Sequence, residues 1–120
     1  MGTESAEREI ESLRLELEAE RRVLGRELEI ARRIQLGLMP AATPALPGWD
    51  IATAYRAART VGGDFYDVYE LPRRPGTIGV AVADVTGKGI TAALMMAFSR
   101  AVLRSAAYNG TGPADALLRT

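Results

Sequence analysis

Between Glu4 and Leu38 the chain contains no proline, and an apolar residue returns every seventh position through Ile10, Leu17, Leu24, Ala31 and Leu38. This spacing confines the segment to a long helix that lays one stripe against a partner surface. With Ile10 as heptad position a, the d positions are Leu13, Glu20, Glu27 and Ile34, so the middle of the second seam is polar. Val23 and Leu28 flank that gap and widen the stripe. The intervening residues are helix-favouring Glu and Arg of both signs. Such a helix is about 50 Å long at ~1.5 Å per residue. It has little core of its own, so residues 4–38 are expected to form a coiled coil with a second copy. The plainer reading is a solvated helix packed on its own domain.

Met39-Pro40 ends the helix, because a proline disfavours helical geometry in the residue before it. Ala41 to Gly48, with Pro44 and Pro47, reads as an extended connector. Residues 1–40 are therefore expected to be a linker helix and 41–120 a separate folded portion. Past the connector the hydrophobic period falls to two. Trp49–Arg56 and Phe65–Leu71 alternate as strands, the latter with Phe65, Asp67 and Tyr69 on one side. Pro72–Gly76 is a turn, and Thr77–Val85 is apolar enough for a strand buried on both faces. Ile90–Tyr108 reads as a helix whose packed face is Ala93, Leu94, Ala97, Phe98, Ala101 and Val102, stopped by Asn109-Gly110. Another helix starts at Gly112-Pro113. The class is α+β, with a thin sheet that still needs a cover on its second face.

Composition narrows the chemistry. There is no His and no Cys, which excludes imidazole ligands, His-based triads, thiolate nucleophiles and disulfides. A bound metal must then be held by oxygen, which points to Mg, Mn or Ca. Lys and Arg total 15 against 15 Asp and Glu, a balance that argues against nucleic-acid binding through a broad basic surface. No uninterrupted apolar run reaches the ~18 residues of a membrane span, and the charged N-terminus is no secretory signal. A cytoplasmic location is the expectation.

Two stretches carry possible chemistry. In Val61-Gly62-Gly63-Asp64-Phe65-Tyr66-Asp67, paired glycines precede an Asp at the mouth of a strand. They permit unusual backbone geometry and clear side chains from around the next group. The stretch reads equally as a hairpin turn in which Asp64 bonds its own backbone. In Ala83-Asp84-Val85-Thr86-Gly87-Lys88-Gly89, a carboxylate ends the most hydrophobic strand and a helix follows. This is not a phosphate-binding Walker loop, because Gly89 follows Lys88 where Ser or Thr is needed. Gly87-Lys88-Gly89-Ile90-Thr91-Ala92 does fit a dinucleotide fingerprint, but Asn109-Gly110 stands where its acidic partner belongs. The third reading makes Asp84 a metal ligand. If the two strands form an antiparallel hairpin, Asp64 and Asp84 come to the same end of the sheet. Two convergent carboxylates suit a hard cation, and such a site suits phosphate-ester hydrolysis.

These motifs together resemble a known family. GGDFYD, then a strand ending in ADVTGKG, then AALMMA, is similar to the stage II sporulation protein E-type branch of the bacterial PPM (protein phosphatase 2C-like) serine phosphatases. The likeness begins upstream with Ala31–Pro40 (ARRIQLGLMP) and Leu46-Pro47-Gly48, and covers about residues 28–120. It implies a PPM-type β-sandwich flanked by helices, with two Mn2+ or Mg2+ ions between the sheets. By matching motif, Asp64 resembles the ligand of one metal and Asp84 the carboxylate that bridges both. The Val85 carbonyl resembles a further ligand, and Gly87 and Gly89 the glycines of the following turn. The implied activity is dephosphorylation of phosphoserine or phosphothreonine proteins, typically of the anti-anti-sigma type, by metal-activated water. The N-terminal helix resembles the dimerising linker that joins such phosphatases to sensor domains. Arg56-Ala57-Ala58 departs from the Pro-Ala pair common in the family. Further metal-binding Asp residues of the family lie beyond the matched motifs, so the domain is expected to be incomplete. At most one weakly held metal and little turnover are then expected from these residues alone. A non-catalytic dimerising fragment is the alternative function.

Overall fold

The computed structural model describes residues 2–120. Their order is α1 (Gly2–Leu38), β1 (Asp64–Glu70), β2 (Ile78–Asp84), α2 (Gly89–Asn109) and α3 (Pro113–Leu118). The long first helix and its stop before Pro40 follow the sequence reading. Every residue from Gly2 to Glu27 is exposed, and α1 touches the rest of the chain only through its last turns. Leu38 and Met39 pack there against Phe65 of β1 and Met96 of α2. The apolar a and d residues Ile10, Leu13, Leu17 and Leu24 remain exposed. Local ion pairs line the helix, among them Arg14–Glu18 at 3.4 Å and Arg32–Glu29 at 2.8 Å. Such exposed pairs add little, because water and salt screen them.

β1 and β2 form an antiparallel hairpin whose register runs from Asp64 opposite Asp84 to Glu70 opposite Ile78. The Pro72–Gly76 turn closes it, with Gly76 at a φ of 76° that suits glycine. α2 lies across one face. Phe65, Asp67 and Tyr69, the side singled out by alternation, are all buried beneath it. Met39, Phe65 and Met96 make the central apolar cluster. Burial of each is worth about 1.5–3 kcal/mol.

Three sequence expectations need correction. Trp49–Arg56 is extended but forms no strand, apart from an isolated bridge between Leu46 and Trp49. Alternation marks a segment that suits a sheet, but a ladder needs a partner edge and none pairs with it among the described residues. β2 is not buried on both faces: Val80 is 63% and Val82 85% exposed. Nor does α2 bury its expected stripe, since Leu94 is 66% and Phe98 64% exposed. The buried positions are Ala92, Met96 and Ala106. Both sides of this helix are apolar, so periodicity could not choose between them. A polar contact chose instead, because Arg100 and Arg104 lie on the buried side and pair with Asp67.

By length and composition α2 is apolar enough to cross a bilayer. The same two arginines oppose that reading, since insertion would strand both charges and break their pairing to β1. α3 packs back on α2, burying Ala116. Gly110 stops α2 as expected, but at a φ of −86° it is not the left-handed cap. Its role is close approach: an added Cβ would sit 2.9 Å from both the Ala106 carbonyl and the Asp115 carboxylate.

Candidate functional site

The hairpin register places Asp64 directly opposite Asp84 at the open end of the sheet. Opposed residues in an antiparallel pair have Cα atoms about 4.5–5.5 Å apart, so both carboxylates serve one small volume. Both residues are solvent-exposed. A hydrogen bond to Asp84, then partial desolvation and the Asp84 charge, hold the Asp64 carboxyl above its ordinary value. Two carboxylates held this close repel each other, and a cation between them would relieve that repulsion.

The glycines build the mouth of this site by two different means. Gly87 (φ 113°) and Gly89 (φ 66°) occupy left-handed backbone where a side chain would be strained. They turn the chain from β2 into α2. Gly62 and Gly63 have no such φ. A Cβ on Gly63 would lie 2.6 Å from the Val85 carbonyl oxygen and 3.3 Å from the Ala92 Cβ. Gly63 therefore matters for its missing side chain rather than its torsional freedom. That close approach extends the hairpin by one bond, from the Val85 N–H to the Gly63 carbonyl at 3.3 Å. Asp64, Asp84 and Val85 line one cavity of about 310 Å³ together with Arg59, Gly63 and Lys88.

Two groups that sequence reasoning missed hold this end in place. Gln35 of α1 is 5% exposed. Its Nε2 donates to the Gly62 carbonyl and its Oε1 accepts from the Gly62 N–H at 2.9 Å. The Tyr55 hydroxyl also donates to Oε1, at 3.4 Å. One amide side chain thus satisfies both backbone groups of the residue two before Asp64. Its signal was a lone neutral polar residue in the apolar series Leu28, Ala31, Gln35, Leu38.

The second group is Asp67, 2% exposed on β1. It accepts a bidentate pair from Arg104, with Nε at 2.8 Å and Nη2 at 2.6 Å, and a longer bond from Arg100 at 3.4 Å. Arg104 also stacks on Tyr69, its Cζ 4.8 Å from the ring centroid. Burial opposes the Arg104 charge, and the Asp67 hydrogen bond and charge outweigh it, raising its pKa. Arg100 Nε is left buried without a partner. These contacts fix α2, and with it the connection that follows Asp84 and carries Val85, against β1.

Among the described residues no cluster of three or more carboxylate, imidazole or thiolate groups is gathered for a metal. The donors present are two carboxylates and one carbonyl. In kind they fit a hard divalent ion, and Mg2+ is commonly held by one or two carboxylates with waters completing its shell. Asp115, in the first turn of α3, is structural: it accepts from the Thr111 N–H at 2.9 Å and pairs with Arg119 at 3.0 Å.

Residues 74–120 match the family described as Stage II sporulation protein E (SpoIIE). Protein IcfG of Synechocystis sp. is 37% identical over 94 residues, covering 78% of this chain and 14% of that protein. Phosphoserine phosphatase RsbU of Bacillus subtilis is 33% identical over 91 residues, covering 76% of this chain and 26% of its own length. Over residues 74–120 the chain is of SpoIIE type in sequence. Its α+β architecture, a long helix, a two-stranded sheet and two further helices, agrees with part of such a domain. No solved structure matches the chain. As a SpoIIE-type chain it spans only 14% and 26% of these two relatives.

Proposed function

We propose that residues 41–120 are the opening part of the catalytic domain of a Mn2+- or Mg2+-dependent protein serine/threonine phosphatase, and residues 1–40 its linker helix. The observation that carries this reading is the register pairing of Asp64 with Asp84 at the open end of the hairpin. In this reading Asp64 and Asp84 hold metal through their carboxylates and Val85 through its carbonyl. When bound, the metal would supply a water that loses its proton readily enough to serve as nucleophile, and a positive centre for the phosphoryl oxygens. The chain's own residues do the positioning. Gln35 holds the Gly62 turn, Gly63 lets the Val85 carbonyl come close, and Asp67 with Arg104 seats α2. The substrate is a phosphoserine or phosphothreonine protein of the anti-anti-sigma type, acted on in the cytoplasm. The name of the relative RsbU, a phosphoserine phosphatase, supports the substrate class.

Release of phosphate from a phosphoserine peptide by the completed domain with Mn2+ tests this. A loss of at least 100-fold in Asp84→Asn is expected; normal turnover in that variant would refute the assignment.

The non-catalytic reading, a dimerising fragment, draws on the unbroken exposure of Gly2–Glu27 with Ile10, Leu13, Leu17 and Leu24 uncovered. Dimerisation through residues 4–38 is part of both readings. Sedimentation of the chain at high micromolar concentration checks it, and a monomer there would remove the coiled coil from either reading.

A further inference from the structure

The cavity that holds the carboxylate pair has a neighbour. A second cavity of about 290 Å³ is lined by Arg32, Gln35, Tyr55, Arg56, Arg59 and Thr60, with no carboxylate in its wall. The two share Tyr55, Ala57 and Arg59, so they adjoin. Cations line both. Arg59 and Lys88 share the first with Asp64 and Asp84, Arg32, Arg56 and Arg59 line the second, and Arg56 also lines a further cavity with the same two carboxylates. Arg32 is offset by Glu29 at 2.8 Å. Among the described residues Arg56, Arg59 and Lys88 make no ion pair, and neither do Arg8, Arg21, Arg22, Arg26, Arg73 and Arg74 away from these cavities. The two cavities set three unpaired cations against the two carboxylates, while the whole chain has no net charge.

A phosphoserine carries about −1.5 to −2 charges and would be repelled by a bare pair of carboxylates on its approach. Unpaired guanidinium groups on the way in reverse that field and offer forked donors to carboxylate or phosphate oxygens. We propose that the Arg56–Arg59 groove, with Lys88 in the adjoining cavity, docks acidic residues that flank the phosphoserine of the substrate protein. This rests on the phosphatase reading above and adds to it a sequence preference. A nucleic acid fits less well: the groove offers three unpaired cations, fewer than the roughly six to ten phosphate contacts of a salt-sensitive DNA binder, and it ends at two carboxylates.

Fluorescence anisotropy with the 120-residue chain and no added metal tests the proposal. The probes are two labelled phosphoserine peptides, one flanked by Asp and Glu and the other by Ala. The acidic peptide is expected to bind about tenfold tighter at low ionic strength, with the preference shrinking as salt is raised. The double variant Arg56→Ala/Arg59→Ala should lose it, and Arg56→Lys/Arg59→Lys should retain most of it. Equal affinity of the unmutated chain for both peptides overturns the proposal, as does a preference that survives the alanine variant. Equal binding of single-stranded DNA of the same charge also overturns it. Binding is read without metal or turnover, so failure here is distinct from failure of Mn2+-dependent phosphate release.

Discussion

Gly62 and Gly63 are adjacent, and the structure predicts opposite consequences for the same substitution at each. In Gly63→Ala the new Cβ would lie 2.6 Å from the Val85 backbone oxygen, and 3.2 and 3.3 Å from the Cβ atoms of Val85 and Ala92. Side-chain Cβ atoms essentially never approach a neighbour within 3.0 Å, so the backbone must open by at least about 0.4 Å. All three neighbours belong to the β2–α2 connection or to α2 itself, and no flexible side-chain tip is there to swing away. Overpacking of this kind costs about 1–3 kcal/mol. A cost of about 2 kcal/mol is roughly a 30-fold loss in the folded-to-unfolded ratio. In Gly62→Ala the nearest atoms are the Tyr55 hydroxyl at 3.6 Å and the Ala57 Cβ at 3.8 Å, both ordinary contacts. That change should stay within about 0.5 kcal/mol. Urea unfolding of the two variants beside the parent chain, at constant m-value, reads the difference. Equal destabilisation by both, or a neutral Gly63→Ala, would refute the argument that Gly63 is needed for space.

Gln35→Ala strips both backbone groups of Gly62 of their partner and should cost about 2–4 kcal/mol, with faster amide exchange at Gly62; unchanged exchange would mean the turn does not depend on α1. Asp67→Asn should cost about 3–5 kcal/mol, because Arg104 and Arg100 keep their charges in a largely buried place; a urea midpoint like the parent's would contradict this. The Thr111 N–H and then Arg119 hold the Asp115 carboxyl below its ordinary value. Its contribution is therefore present above the unfolded carboxylate pKa and lost as pH falls through the depressed one. Thr111 amide protection should decline across that acidic window in the parent chain, and Asp115→Asn should remove the pH dependence. Protection that stays flat in the parent would count against the Asp115 cap.

What could be read from the sequence was whatever local pattern decides. The α1 stop at Pro40, the alternation of β1 and the Pro72–Gly76 turn fix a hairpin, and a hairpin brings its two ends together. The meeting of Asp64 and Asp84 was legible for that reason alone. Trp49–Arg56 has strand-like alternation too, but a strand is a property of two segments, and its partner cannot be seen in its own residues. The packed face of α2 was misread because apolar residues lie on both sides of the helix. What selects the face is a bond from Arg104 to a carboxylate 37 residues away. Gln35 was hidden for the same reason: its partner is the backbone of Gly62, 27 residues on, and a backbone group leaves no mark in sequence.

The central claim is that Asp64 and Asp84 act as one oxygen site for a hard cation. Titration of the 120-residue chain with Mn2+, followed by calorimetry or by the loss of the free-ion electron paramagnetic resonance signal, tests it most directly. The account predicts one weak saturable site, abolished equally by Asp64→Asn and by Asp84→Asn and untouched by Asp115→Asn. Parent-like Mn2+ binding in either the Asp64 or the Asp84 variant would contradict it.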